Sequence, residues 1–271
     1  MRTVLVTGGS SGIGLATCNM LMKAGYIVYS ASRSGNGSIT EDISGGRIIS
    51  IKMDVNKEEE IKSVVETIVR DNQRIYALVC NAGNGIGGSI EDTSVEEIRY
   101  QFETNYFGAM KTIEAVIPVM RKQGAGKIVT LSSVAGIIPI PYQGFYSAVK
   151  AALLQTTKVM KIELRPFGID CCAVLPGDTK TGFTANRKYT AAAMDTNSAY
   201  YDKCTASLKK MEHDEQNGMS PDAIAKAITR QLSRRRMATM VIPGFTYKLF
   251  GLLGRILPNR LILWIVGLMY S

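Results

Sequence analysis

Short apolar runs alternate along this chain with longer amphipathic ones, and the alternation leaves few folds open. Residues 2–7 (RTVLVT), 26–32 (YIVYSAS), 47–53 (RIISIKM), 75–80 (IYALVC), 127–133 (KIVTLSS), 169–175 (IDCCAVL) and 238–242 (ATMVI) read as strands. Helical patterns at 12–24, 57–71, 94–122, 144–164 and 221–233 separate them, with Gly25, Pro166 and Gly168 as stops. Strands joined through helices pair in parallel, and strands without polar alternation are buried on both faces. The expectation is one α/β domain over 1–243, a Rossmann-like doubly wound parallel sheet with helices on both faces. Residues 182–220 form a long connection with the character of a substrate lid, and 244–271 form a basic, apolar extension.

Composition removes several kinds of chemistry. His213 is the only histidine and lies in a charged stretch, KKMEHDEQNG, so neither a Ser-His-Asp triad nor a zinc site is expected. The five cysteines lack C-x-x-C spacing, and Cys18, Cys80, Cys171 and Cys172 sit among apolar neighbours as free thiols do. The start, MRTVLVTGG, lacks the pattern of a secretory signal, and a reducing, cytoplasmic setting is expected. The net charge of +9 is uneven. No acidic residue follows Asp222, while eight Lys and Arg do, leaving the preceding part close to neutral.

Directly after the first strand stands TGGSSGIG, residues 7–14. Gly8, Gly12 and Gly14 occupy the place where a strand turns sharply into a helix and a pyrophosphate approaches the backbone, with Ser10, Ser11 and Ile13 as further loop contacts. A second strand that binds NAD ends in a carboxylate for the ribose 2'-hydroxyl. Here it ends in Ser32 and Arg33, which favours the 2'-phosphate of NADP, with Ser10 adding a hydrogen bond. NADP(H) is the expected cofactor, and NAD stays possible. Asp54, followed by Val55, ends the third strand where its carboxylate can accept from an adenine amino group. Tyr146 and Lys150 are four apart and share one helical face, either as an ordinary packing pair or as a phenol tuned by a cation; spacing alone leaves both open.

These features, with CNAG at 80–83, TNYFG at 104–108, SS at 132–133, YSAVK at 146–150 and PGDTKT at 176–181, resemble the short-chain dehydrogenase/reductase family in order over residues 2–182. The intervening text is similar to the branch holding 17β-hydroxysteroid and retinol dehydrogenases. The resemblance implies that Tyr146 is the general acid or base, that Lys150 stabilises its phenolate and binds the nicotinamide ribose, and that Ser133 holds the substrate oxygen. It implies that Asn105 anchors a proton-relaying water, that Asn81, Ala82 and Gly83 floor the adenosine ribose, and that Pro176, Gly177, Thr179 and Thr181 border the nicotinamide. It also implies a homodimer or homotetramer through the helices at 105–122 and 144–164.

The substrate walls are expected from VAGIIPIPYQGF after Ser133, including Ile138, and from Phe183 and Tyr189 in the lid. Their apolar character points to a lipophilic secondary alcohol or ketone, and the branch resemblance to a hydroxysteroid, ketosteroid or bile acid. A 3-oxoacyl thioester carried by an acidic carrier protein and a retinol are the alternatives within enzymes, and a cofactor-binding sensor is the alternative outside them. Nucleic acid is not expected, because the basic end lacks interleaved stacking aromatics. In 244–271 the longest uncharged run is the ten residues Leu261–Tyr270, about 15 Å as a helix against a hydrocarbon core of ~30 Å. Lys248, Arg255, Arg260 and Trp264 among leucines suit peripheral membrane contact or a lipophilic entrance; packing on the sheet or on a second subunit is the alternative.

Overall fold

A computed structural model describes residues 1–270, without the Arg255 side chain. That side chain, and Ser271 at the end of the expected extension, lie outside the described residues. In chain order the elements open with β1 (Thr3–Thr7), α1 (Gly12–Lys23), β2 (Ile27–Ser32), β3 (Ile39–Glu41), β4 (Arg47–Lys52), α2 (Glu58–Asn72), β5 (Ala77–Cys80) and β6 (Ile86–Gly87). They continue with α3 (Val95–Phe102), α4 (Gly108–Gln123), β7 (Gly126–Leu131), α5 (Gly144–Glu163), β8 (Ile169–Val174) and β9 (Lys188–Tyr189). The chain ends in α6 (Tyr201–Gln216), α7 (Pro221–Ser233), β10 (Met240–Val241), α8 (Phe245–Ile256) and α9 (Asn259–Tyr270).

The main sheet runs β10-β8-β7-β5-β1-β2-β4-β3. Every pairing is parallel except β3 with β4, which is antiparallel at the edge. That strand, ITE, is exposed and was not expected, because three residues with one apolar side chain carry no periodicity to read. The helices cover both faces, as the doubly wound expectation requires. On one face Leu5, Leu78, Ile128 and Cys171 pack with Ile61 of α2, Val116 of α4 and Leu153 of α5. On the other, Val4, Val79 and Cys172 pack with Leu21 of α1 and Ile228 of α7. Neighbouring strand residues thus enter opposite cores, which is why the strands read as unbroken apolar runs. All five cysteines are buried and free.

Strand order reverses between β1 and β5, so their carboxyl ends part and open a crevice. The expected helix over 94–122 is α3 and α4 joined by one π turn, Glu103–Phe107, and Asn105 sits in that turn. Such turns inside α-helices recur at functional sites because they redirect one side chain. The lid is more ordered than a bare connection: β9 pairs with β6, and α6 fills its second half. The extension divides at Leu257–Pro258 into α8 and α9 and lies on the domain. Gly251 packs on Ile242, Gly254 faces Ile138, and the Tyr247 hydroxyl donates to Asp178 Oδ2 at 2.8 Å. Among the described residues no helix is long and apolar enough to cross a membrane.

Candidate active site

The glycine loop and the segment after β5 are tied to each other across the crevice. Thr7 Oγ1 accepts from the backbone N–H groups of Asn81 and Ala82, each at 3.0 Å. Asn81 Nδ2 donates in return to the carbonyls of Thr7 (3.1 Å) and Gly8 (3.0 Å). Gly8 and Gly12 take positive φ, 64° and 50°, a region that side chains with a Cβ resist. Gly14 acts by packing, since a Cβ there would stand 2.1 Å from the Gly8 carbonyl oxygen. Ser11 caps α1 without a side-chain bond, and the first turn holds no acidic residue. The amide N–H groups of that turn therefore remain available to an anion, assisted by the helix dipole.

From this loop a cleft of about 870 Å³ follows the carboxyl ends of the strands. Gly8, Ser10, Ser11, Gly12 and Ile13 line it, followed by Ser32 at the end of β2, Arg33 just beyond it, and Asp54 and Val55 beyond β4. Asn81, Ala82 and Gly83 beyond β5, and Pro176, Gly177, Thr179 and Thr181 beyond β8, continue the wall. Ser133, Ile138, Tyr146, Lys150 and Phe183 stand in the same cleft. Arg33 is exposed, and its guanidinium makes none of the ion pairs found among the described residues. Glycines that leave no room for a Cβ, unfilled amide donors and a free cation beyond β2 together fit a dinucleotide with its pyrophosphate on the loop.

Helix α5 presents Tyr146 and Lys150 one turn apart, and Lys150 Nζ lies 5.5 Å from the centre of the Tyr146 ring. Lys150 is buried, donates to the Leu131 carbonyl at 2.9 Å, and is drawn down to about 8 by burial. Burial also dominates at Tyr146, pushing its phenol up to about 12, while the Ser133 hydroxyl pulls the other way. Ser133 Oγ accepts from Ala135 N–H at 3.1 Å, which fixes it where β7 ends. Ser133, Tyr146 and Lys150 thus meet at one point of the cleft.

Three of the expected contacts, Gly14, which packs α1 on the loop, Asn105 and Tyr189, lie off the cleft wall. Asn105 is buried behind it, donating through Nδ2 to Gln101 O (2.9 Å) and to Asn84 O (3.0 Å) and Oδ1 (2.8 Å). Its Oδ1 has no partner among the described residues, and a Cβ on Gly83 would stand 2.6 Å from that oxygen and 3.8 Å from Lys150 Nζ. A buried acceptor and a buried ammonium thus flank one spot, the arrangement a bridging water satisfies. Tyr189, expected in the substrate wall, does not reach the cleft. Its hydroxyl bonds Glu212, and its ring packs on the lid's own core of Ala193, Cys204, Leu208 and Met211. The partner sits on α6, across a helix whose polar sequence gave no warning of it.

Sequence reasoning passed over other cleft residues. Asn84 and Asp178 line the cleft; Gln143 and Glu215, inside the two expected wall segments, line it as well, and so do Phe250 and Leu253 of α8 with Ile265 and Met269 of α9, in the segment read as a membrane surface or a lipophilic entrance. Phe183 stands 5.8 Å from Tyr146 ring to ring, with the Arg187 guanidinium, paired to Glu215, 5.7 Å from its centre. Asp178 is partly legible within PGDTKT. The α8–α9 contacts are not, because only the tertiary fold brings residues so distant in sequence over the catalytic helix. His213 is exposed, and no cluster of metal-ligating side chains occurs among the described residues.

A doubly wound sheet with a glycine loop at its reversal and a Ser, Tyr and Lys beside the cleft defines a nucleotide-dependent oxidoreductase. Residues 2–192 match the short chain dehydrogenase model, and the chain belongs to that family, whose members act on CH–OH groups and bind NAD(P). It is 39% identical over 234 residues to a 3-ketodihydrosphingosine reductase of Bacteroides thetaiotaomicron, covering 86% of this chain and 84% of that protein. It is 31% identical over 248 residues to dehydrogenase/reductase SDR family member 7B of Xenopus tropicalis, covering 88% and 76%. Among solved structures, a short-chain dehydrogenase from Streptomyces avermitilis superimposes with a TM-score of 0.81 at 28% identity, over 94% of this chain and 92% of that one.

Proposed function

We propose that this oxidoreductase uses NADPH to reduce a ketone on a long-chain lipid, a 3-keto sphingoid base of the 3-ketodihydrosphingosine kind. The observation that carries the reading is the continuity of one cleft from Tyr146, past Ile138 and Phe183, to the apolar side chains of α8 and α9. An alkyl chain laid along such walls gains about 0.8 kcal/mol for each buried CH₂. The relative at 39% identity, matched over most of its length, supports a keto lipid over the ketosteroid that the motifs first suggested.

A dihydronicotinamide held along the glycine loop would supply the hydride for the carbonyl carbon. Ser133 holds the carbonyl oxygen. Tyr146 gives its proton to that oxygen as the carbon accepts hydride; burial holds the phenol protonated, to about 12, and works against its release, so the charge beside it has to offset that burial. Lys150, above the phenol ring, stabilises the charge left behind, and Asn105 holds the relay that restores the proton. Ser10, Ser32 and Arg33, gathered at one end of the cleft, favour the 2'-phosphate. Exposed Phe107 in the π turn between α3 and α4, with Val159 and Ile162 on α5, suits a homodimer or homotetramer.

The test follows nicotinamide absorbance with NADPH and NADH against 3-ketodihydrosphingosine, a ketosteroid, retinal and an acetoacetyl thioester. Turnover of the sphingoid ketone with NADPH is expected. Preference for the steroid or the thioester would move the substrate class, and silence across the panel would favour a cofactor-binding sensor.

A further inference from the structure

The described residues of the extension are exposed in an unusual way. On α8, Phe245, Leu249, Leu252 and Ile256 recur at helical spacing and are 84%, 45%, 51% and 67% exposed. On α9, Leu261, Trp264, Ile265 and Leu268 do the same, Trp264 at 61% and Leu268 at 62%. An amphipathic helix on a protein surface normally turns its polar face outward. These helices use Gly251, Gly254, Ile262 and Val266 to sit on the domain and leave a second apolar stripe uncovered. Contiguous apolar surface of this kind marks a contact.

Charge and position identify the occupant. The exposed Lys248 and Arg260 accompany the stripes and make none of the ion pairs found among the described residues, while the acidic side chains near these helices, Asp178, Asp214 and Glu215, line the cleft. Three other basic residues of the same end, Arg234–Arg236, stand before β10 at the amino edge of the sheet, away from the cleft, so the sequence-level basic tail is two separate surfaces. Phe250, Leu253, Ile265 and Met269 are at once exposed and part of the cleft wall, so the stripes border the mouth of the active site. A second copy seated by two-fold symmetry would bring like charges together and close that mouth. An acidic carrier protein would match the charge and leave Trp264 and its neighbours in water.

We propose that α8 and α9 form a monotopic docking surface for an anionic phospholipid bilayer, with the cleft mouth facing the lipid so that a lipophilic ketone enters from the membrane. The apolar stripes would sink about 5–10 Å into the boundary between headgroups and acyl chains, with Lys248 and Arg260 among the headgroups. Neither helix spans the bilayer. The surface takes from the proposed function only that the substrate is lipophilic, and docking is measured without any substrate.

The experiment sediments the full chain with vesicles of phosphatidylcholine alone or mixed with phosphatidylglycerol. The intact protein is expected to sediment with the mixed vesicles and to be released by salt. The double variant Lys248→Gln/Arg260→Gln should bind them about fivefold more weakly for each charge removed. Trp264→Glu/Leu268→Glu should stay in the supernatant, keep turnover of a short water-soluble ketone, and lose turnover of a ketone embedded in vesicles. Intact protein that ignores anionic vesicles would overturn the proposal, as would equal binding by Trp264→Glu/Leu268→Glu. A dimer, seen by light scattering, that this variant abolishes would assign the stripes to a second copy instead. Docking without turnover of any ketone would keep the surface and overturn the substrate reading alone.

Discussion

Burial moves the buried Lys150 and the half-buried Tyr146, the two groups assigned the proton chemistry, in opposite directions. Lys150 is drawn down to about 8, and Tyr146 is pushed up to about 12. As pH rises through about 8 the lysine loses its proton first, and with it the charge that supports the phenolate. Ketone reduction should therefore be flat below that pH and fall above it, and a pH profile of kcat/KM without that limb would contradict the role of Lys150. The stability sign follows from the same shift. Between about 8 and the ordinary lysine value the folded protein holds fewer protons than the unfolded chain, so stability should rise with pH across that window, and Lys150→Met should remove the rise. At the far end of the cleft, Arg33→Asp should raise KM for NADPH by roughly tenfold or more, the worth of one charge-assisted bond, with little effect on NADH. Equal effects would take Arg33 out of cofactor selection.

Elements whose signal is local were legible in the sequence, and those defined by distant partners were not. The seven expected strands all appear; burial on both faces makes the central ones apolar runs, while β4 and β10 towards the edges are only half-buried. The glycine loop and the Tyr146–Lys150 turn are equally local: a tight strand-to-helix turn and a four-residue spacing. The π turn at Glu103–Phe107 was hidden, since one extra residue per turn hardly disturbs the apolar pattern of 94–122. The place of Tyr189 depended on Glu212, and in α6, YDKCTASLKKMEHDEQ, the apolar face is only Cys204, Leu208 and Met211, too thin to say what packs on it. Within the legible part, Gly14→Ala tests the α1 packing. A methyl 2.1 Å from the Gly8 carbonyl must push the loop off β5, costing about 1–3 kcal/mol by overpacking together with cofactor affinity. Thermal melts and cofactor titration would read it, and an unchanged melt with unchanged affinity would refute the close approach.

Taken whole, the molecule places one cleft between the glycine-loop half of the sheet and an apolar half built from its own C-terminal helices. Tyr247 of α8 joins the halves, its ring filling the space beside Gly177 and its hydroxyl bonding Asp178 in the loop expected to border the nicotinamide. Tyr247→Phe should thus loosen that loop and raise KM for the cofactor while leaving Tyr146 and Ser133 in place. An unchanged KM would separate the two halves. The most direct measurement compares the intact protein with Tyr146→Phe, following NADPH absorbance and product formation with 3-ketodihydrosphingosine. The account predicts matched consumption and alcohol formation by the intact protein, and a fall of roughly 10²–10⁴-fold in the variant with NADPH binding retained. Substantial turnover without the Tyr146 hydroxyl, or none by the intact protein, would contradict it.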